Sequence, residues 1–316
     1  MMKDRERHYG GVIAAFITPC RTTGEPDPKQ AERLSSVLIE KGCHGIFAAG
    51  STGEQPMLDG NQRRDIIAAV RKGAGDDALV FAGISGCGTR QALKYAANAR
   101  NDGADVAVIM APFFLSCSQE GLLEYVRRIA DESPLPVGVY NHVRMPSQFS
   151  AETVMVLAEH ENIVAIKDTD TDQERSLSLA AALAGKPIAF FQGREPFLLD
   201  SFNAGVAGCV SALANIAPEL HRKLYDAVLA GDTAAAAACQ KQLDHLIRIF
   251  ELPESRTSFA AFCHAIKRIA VQRGWLETVE GMLPGYSPTS EHDARLLAIA
   301  SEAGLELQDE QRTSTD

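Results

Sequence analysis

Eight short apolar runs rich in β-branched residues alternate with stretches of helical spacing, and a long C-terminal part reads only as helix. Together these predict a (β/α)₈ (TIM) barrel with a C-terminal helical extension. The runs are GVIAAFITP (11–19), HGIFAAG (44–50), ALVFAGISG (78–86), DVAVIMAPFF (105–114), PVGVYN (136–141), NIVAIKD (162–168), PIAFFQG (187–193) and GVAGCVSA (205–212). They are near-continuously apolar, as strands of a covered parallel sheet are. KQAERLSSVLIEKG, NQRRDIIAAVRKGAG, RQALKYAANARNDG and SQEGLLEYVRRIADESP supply helices between them. An open doubly wound sheet shares this rhythm, but no GxGxxG or GxxxxGK[ST] follows any run. The barrel is expected over residues 1–217. Helices packed on it are expected over 218–316, including DTAAAAACQKQLDHLIRIF and FAAFCHAIKRIAVQRG, with no Pro/Ser linker between the parts. The tail LELQDEQRTSTD is polar and is expected to fray.

Composition narrows the function classes. A net charge of −10 speaks against nucleic acid as a partner, though an anionic substrate remains open because a pocket can differ in sign from the surface. The start, MMKDRERHYGG, is charged and has no apolar core of a signal peptide, and no run approaches the ~18 residues of a membrane span. The seven cysteines are odd in number, scattered and free of any CxxC pair, which fits free thiols in a reducing compartment and no zinc site. The cytoplasm is the expected location.

Barrel chemistry gathers at the C-terminal ends of the strands, so the last residue of each run carries the information. Lys167 ends the sixth run. With a period of two it shares a face with Ala165 and Ile163, while Ile166 and Val164 share the other. An amine held in an apolar mouth has a lowered pKa and becomes a nucleophile near neutral pH. The alternative is a lysine in a salt bridge with Asp168 or Asp170. Tyr140 ends the fifth run, with Gly138 leaving room on its face, and is either a proton-relaying phenol or an amphipathic core residue. After the second run, Gly50-Ser51-Thr52-Gly53-Glu54 offers two hydroxyls and successive backbone N–H groups. That turn is either a nest for a carboxylate or phosphate or an ordinary loop capping the next helix. An amine, a phenol and a carboxylate nest at one mouth suit Schiff-base chemistry on a 2-oxo acid.

The motifs GSTGE (50–54), YN (140–141), IKDT (166–169) and G-REP (193–196), followed by GVAGCVSALANIAPE (205–219), resemble the dihydrodipicolinate synthase / N-acetylneuraminate lyase superfamily of pyruvate-dependent class I aldolases. The likeness runs from about Gly10 past residue 290. It implies that Lys167 forms the Schiff base, that Tyr140 relays protons, and that Ser51 and Thr52, next to Gly50, bind the pyruvyl carboxylate. Val210, Gly193 and the pair Arg194-Glu195 would border the substrate. The resemblance also implies no metal or organic cofactor and a homo-oligomer, a dimer or a tetramer built as a dimer of dimers.

Departures from the motifs bear on substrate. The synthases resemble Tyr-Asn-x-Pro-x-Arg after the fifth strand, where this chain reads Tyr140-Asn141-His142-Val143-Arg144-Met145, with Val143 at the proline position and Met145 at the arginine position unless Arg144 reaches over from one place earlier. They take a tyrosine from a neighbouring subunit in a PYY-type motif, where this chain reads Pro112-Phe113-Phe114. Both differences point away from a lysine-pathway synthase. Sialic acid lyases carry two acidic residues where Arg194-Glu195 stands. Glu195 suits substrate hydroxyls, and Arg194 suits a second carboxylate or an ion pair at the rim. The expected activity is a Schiff-base aldolase or lyase, a carbon–carbon lyase, on a deoxy sugar acid or hydroxy-2-oxo acid. Dihydrodipicolinate synthase, a 2-oxo sugar-acid dehydratase and a non-catalytic 2-oxo acid-binding barrel are the alternatives, with a phosphate-binding barrel enzyme behind them. Lesser candidates are His142, read as a loop histidine with a structural hydrogen bond or an aid to proton transfer, and Cys87 and Cys117 near the mouth. Asp168, Asp170 and Asp172 lack the Gly and Glu of a calcium loop and are expected to cap the next helix.

Overall fold

The structure, a computed structural model, describes residues 9–308 except Gly285. Eight parallel strands close into a barrel in sequence order: β1 (Gly11–Ala15), β2 (Gly45–Ala48), β3 (Leu79–Gly83), β4 (Val106–Ile109), β5 (Val137–Asn141), β6 (Ile163–Asp168), β7 (Ala189–Gln192) and β8 (Gly208–Ser211), with β8 pairing back onto β1. Helices α1 (Pro28–Glu40), α2 (Gly60–Ala74), α3 (Thr89–Asn101), α4 (Gln119–Glu132), α5 (Ala151–Leu157), α6 (Gln173–Leu183) and α7 (Leu198–Asn203) fill the crossovers. Beyond β8 lie α8 (Pro218–Leu229), α9 (Thr233–Leu246), α10 (Pro253–Thr257), α11 (Phe259–Gln272) and α12 (Ser290–Glu302). The fold is therefore the expected (β/α)₈ barrel with additional C-terminal helices. The polar tail lies, from residue 309 on, outside the described residues, as do the first eight residues.

Local sequence sets the helix starts. Asp27 caps α1 through the N–H groups of Lys29 and Gln30, and Pro28 occupies the first helical position, where its missing N–H costs nothing. Asp59 and Gln62 form a reciprocal capping box at α2. Asp172 caps α6 by accepting from the Arg175 N–H, which is the capping role expected of that aspartate.

Two cores share the strands. Val12, Ala14, Ile46, Val80, Ala107 and Val139 face outward and pack under the helices. Ile13, Ala15, Phe47, Phe81, Ala165 and Phe191 point into the barrel, where large rings alternate with alanines to fill the taper. Gly138 belongs to this inner layer, its vacant Cβ position 3.4 Å from Val108 and 3.6 Å from Ala165.

One expectation about facing needs correction. Ala165 and Lys167 point inward, but Ile163 packs in the outer core and Val164 against the inner one. The register explains it: Val137 pairs with Ile163 and Gly138 with Ala165, so Val164 is an extra residue. A bulge there resets the alternation three residues before the lysine.

Candidate active site

Lys167 lies inside the barrel mouth, 7% exposed. Its Nζ stands 4.0 Å from the centre of the Tyr140 ring and 5.2 Å from that of Phe47. Among the described residues it forms no hydrogen bond or ion pair. Burial pulls the amine down from 10.5 to about 7, opposed by the charge of Glu195. The two aspartates that offered a salt bridge are engaged elsewhere. Buried Asp168 accepts from the Asn141 amide at 3.0 Å, and Arg175 bridges Asp168 and Asp170 at 3.2 and 3.0 Å. The strand alternation aims Asp168 away from the lysine, so the pair IKD delivers a cation inward and its neighbouring anion outward.

Space for the lysine comes from β7. A Cβ on Gly193 would meet the Thr169 Cγ2 at 2.3 Å, the Asp168 carbonyl at 2.8 Å and the Lys167 Cε at 3.2 Å. Glycine is therefore required there by close approach and not by an unusual φ.

Tyr140, paired in register with Lys167, is buried, and its hydroxyl lies 3.3 Å from Ser51 Oγ. Burial raises the phenol pKa, with the Ser51 and Thr169 hydroxyls partly offsetting it, so the ring keeps its proton at neutral pH. Thr169 is itself fixed by donating to the Asn141 carbonyl at 2.9 Å. His142 tilts against Tyr140 with ring centres 5.2 Å apart, and its Nδ1 accepts from the Arg144 N–H. Burial, then the charges of Lys167 and Arg144, push its pKa down to about 3, so the imidazole is neutral.

The turn 50–54 faces the same cavity through Ser51 and Thr52. Neither backbone N–H of these two residues is used in a hydrogen bond among the described residues, while Glu54 N–H returns to the Ser51 carbonyl. The turn is held from behind. Thr18 Oγ1 donates to the Gly53 carbonyl at 2.7 Å, and Gly53 has no room for a Cβ, which would sit 2.8 Å from the Phe16 carbonyl. Glu54, at φ +56° and buried, pairs with Lys267 of α11 at 2.7 Å and accepts from the Met282 and Leu283 N–H groups.

The cavity above these groups measures about 680 Å³, far more than a three-carbon acid needs. Val210, Gly193, Arg194 and Glu195 border it, as the sequence suggested, and so do His142, Val143 and Arg144. Arg194 makes no ion pair among the described residues, and its Nε is buried without a partner. Cys87 and Cys117 do not border it, and all seven cysteines are unpaired. The far wall was not read from sequence: Phe250, Arg256, Phe259 and Phe262 come from the C-terminal helices. Phe259 and Phe262 stack at 5.1 Å, and Arg144 lies over Phe259 at 4.7 Å. Nothing in these helices is marked by composition, since an aromatic at helical spacing reads equally as core.

A closed parallel barrel with a partner-free, pKa-lowered amine and a phenol at its C-terminal mouth defines an enzyme of the class I aldolase type. Comparison with known proteins agrees. A model of the Dihydrodipicolinate synthetase family matches residues 8–302. The chain is 34% identical over 245 residues to 4-hydroxy-tetrahydrodipicolinate synthase 1 of Streptomyces coelicolor, covering 77% of this chain and 79% of that one. It is 32% identical over 299 residues to 4-hydroxy-tetrahydrodipicolinate synthase of Phenylobacterium zucineum, covering 94% and 98%. Among solved structures it superposes on the prophage protein YagE of E. coli K12, determined in complex with pyruvate, with a TM-score of 0.88, 25% identity and coverage of 95% and 100%. The chain belongs to the dihydrodipicolinate synthetase family. No helix among the described residues is long and apolar enough to cross a membrane.

Proposed function

We propose that this protein is a Schiff-base aldolase acting on a 2-oxo acid of the pyruvate type, with Lys167 as nucleophile. The observation that carries the reading is the amine itself: buried, without a carboxylate partner, lowered to about 7, and stacked on Tyr140. An amine in this state is substantially unprotonated at neutral pH and attacks a ketone carbon without a separate base. Ser51, Thr52 and their N–H groups receive the substrate carboxylate. Tyr140, protonated and tethered to Ser51, moves protons to and from the carbinolamine. In the cleavage direction the iminium accepts the electrons of the C3–C4 bond, and the enamine left behind is protonated and hydrolysed to pyruvate.

The substrate tail points to a polar or acidic 2-oxo acid, a deoxy sugar acid or a hydroxy-2-oxo acid. Arg194 supports this as a cation bordering the cavity with no ion-pair partner among the described residues, and Arg256 adds a second cation on the facing helix. The alternative, formation of 4-hydroxy-tetrahydrodipicolinate, draws on the names of the relatives. It lacks here the tyrosine replaced in Pro112-Phe113-Phe114 and the proline and arginine replaced by Val143 and Met145.

Borohydride reduction in the presence of pyruvate, followed by peptide mass spectrometry, tests the nucleophile. The expected result is an adduct on Lys167 that is absent without pyruvate, and no adduct with any 2-oxo acid would overturn the assignment. For the tail, Arg194→Ala should raise KM for dicarboxylate substrates about tenfold or more while leaving monocarboxylates within a factor of two or so, since a charged hydrogen bond contributes about 1.5–3 kcal/mol. Equal losses on both would remove the acidic-tail reading.

A further inference from the structure

Glu195, in the turn after β7, reaches back to the loop after β8. Its Oε1 accepts from Ser211 Oγ at 2.7 Å, from the Ala212 N–H at 3.1 Å and from the Leu213 N–H at 3.4 Å. Ser211 Oγ also lies 2.8 Å from Nε2 of His221, which is fully buried, and the other ring nitrogen, Nδ1, lies 2.8 Å from the Ala217 carbonyl.

A carbonyl only accepts, so His221 Nδ1 carries a hydrogen and Nε2 faces the Ser211 hydroxyl. Ser211 in turn donates to Glu195 Oε1, so one hydrogen-bonded chain runs from the buried ring to the carboxyl group. Glu195 Oε2 has no partner among the described residues, and the residue borders the cavity above Lys167.

We propose that Glu195 is the base that moves the C3 proton between the iminium and enamine forms of the bound 2-oxo acid, with His221, acting through Ser211, as its positioning residue. The proposal rests on the Schiff-base reading above. In the step, Oε2 takes a proton from C3, the C3–H electrons become the C2=C3 bond, and the C2=N electrons neutralise the iminium nitrogen. The reverse returns the proton, so the balance closes without a further reactant. Tyr140 remains at the carbinolamine, where its pairing with Ser51 holds it.

Of the charged groups around the chain, Lys167 of β6 feels Glu195 more than any other charge, and Tyr140 and Cys209 feel it too. Glu219 acts on His221 from its own helix, and Arg194 adjoins Glu195 in sequence. Burial lowers the His221 pKa, against the pull of the Ala217 carbonyl and of Glu195.

Pyruvate alone serves as the probe. Exchange of its methyl protons for deuterium, followed by NMR, reads the C3 step, and borohydride trapping reads the iminium. Glu195→Gln should still give the Lys167 adduct while slowing exchange by about 100-fold or more, the usual range for a lost acid–base group. Ser211→Ala and His221→Gln, which loosen the carboxyl group without touching substrate, should lower kcat for exchange by about tenfold while leaving KM for pyruvate within about twofold. Exchange that survives in Glu195→Gln beside a normal adduct overturns the proposal alone. So does an exchange kcat unmoved in Ser211→Ala, the milder of the two positioning variants. No adduct in the unaltered protein overturns the Schiff-base reading first and this inference with it.

Discussion

Two lysines are buried among the described residues. Lys167, next to last in β6, has its Nζ against the Tyr140 ring and no carboxylate in contact, whereas Lys267 sits in α11 with its Nζ 2.7 Å from Glu54 Oε1 and 2.8 Å from the Glu280 carbonyl. Both are removed from water, at 7% and 1% exposure. Burial is thus shared, and the difference is partnership. Lys267 recovers in a paired, hydrogen-bonded site much of what desolvation costs, and it serves as a fastener for the turn 50–54. Lys167 recovers little, and its amine is pushed toward the neutral, nucleophilic form. The neutral form of Lys167 is favoured by withholding a counter-ion, which the bulge at Val164 and the outward turn of Asp168 accomplish.

The largest effect that would test this contrast is complete. Lys167→Met should abolish the borohydride adduct and leave the fold intact, whereas Lys267→Met should retain some adduct. Loss of adduct in both to the same extent, with both chains folded, would break the contrast. Next in size is stability. Lys267→Met or Glu54→Gln leaves a buried partner alone and should lower the unfolding free energy by about 3–5 kcal/mol, and the double variant should recover part of it. Chemical denaturation checks this, and additive losses in the double variant would deny the pairing.

Linkage gives a subtler separation. Below about pH 7 Lys167 carries its proton in both folded and unfolded chains. Between about 7 and 10.5 only the unfolded chain holds it, so the protein should gain stability with rising pH across that window. The advantage of Lys167→Met over the unaltered chain should therefore be greatest below pH 7 and shrink toward 10.5. A pH-independent difference would mean that the amine is not shifted. Smallest is Gly193→Ala. Crowding Thr169 and the lysine stem should slow adduct formation by about tenfold while moving Tm by a few degrees, given typical overpacking costs of about 1–3 kcal/mol. An unchanged rate would show that the glycine is not needed for the lysine's placement.

How much of this could be read in the chain beforehand depended on distance along it. The barrel was legible because each βα unit carries its own apolar rhythm, and Lys167 and Tyr140 because strand ends are where that rhythm stops. The phase of Ile163 and Val164 was not, since an extra residue in one strand is defined only by the partner it fails to pair with. Lys267 looked like any lysine on an amphipathic helix because its partner, Glu54, is 213 residues away. His221 was likewise hidden, since only the fold brings it beneath Ser211 and Glu195. Phe259 and Phe262 read as core, and only the packing of α11 beside the mouth made them wall.

The fastening of Glu54 has a consequence for the order in which the protein becomes active during its own synthesis. The turn 50–54, proposed above to receive the carboxylate, leaves the ribosome long before the groups that fix it: Lys267 and the N–H groups of Met282 and Leu283 follow Glu54 by 213, 228 and 229 residues. A nascent chain with all eight strands in hand still lacks the latch on its anion turn. The turn is thus finished only after α11 and the segment beyond it have been made and packed.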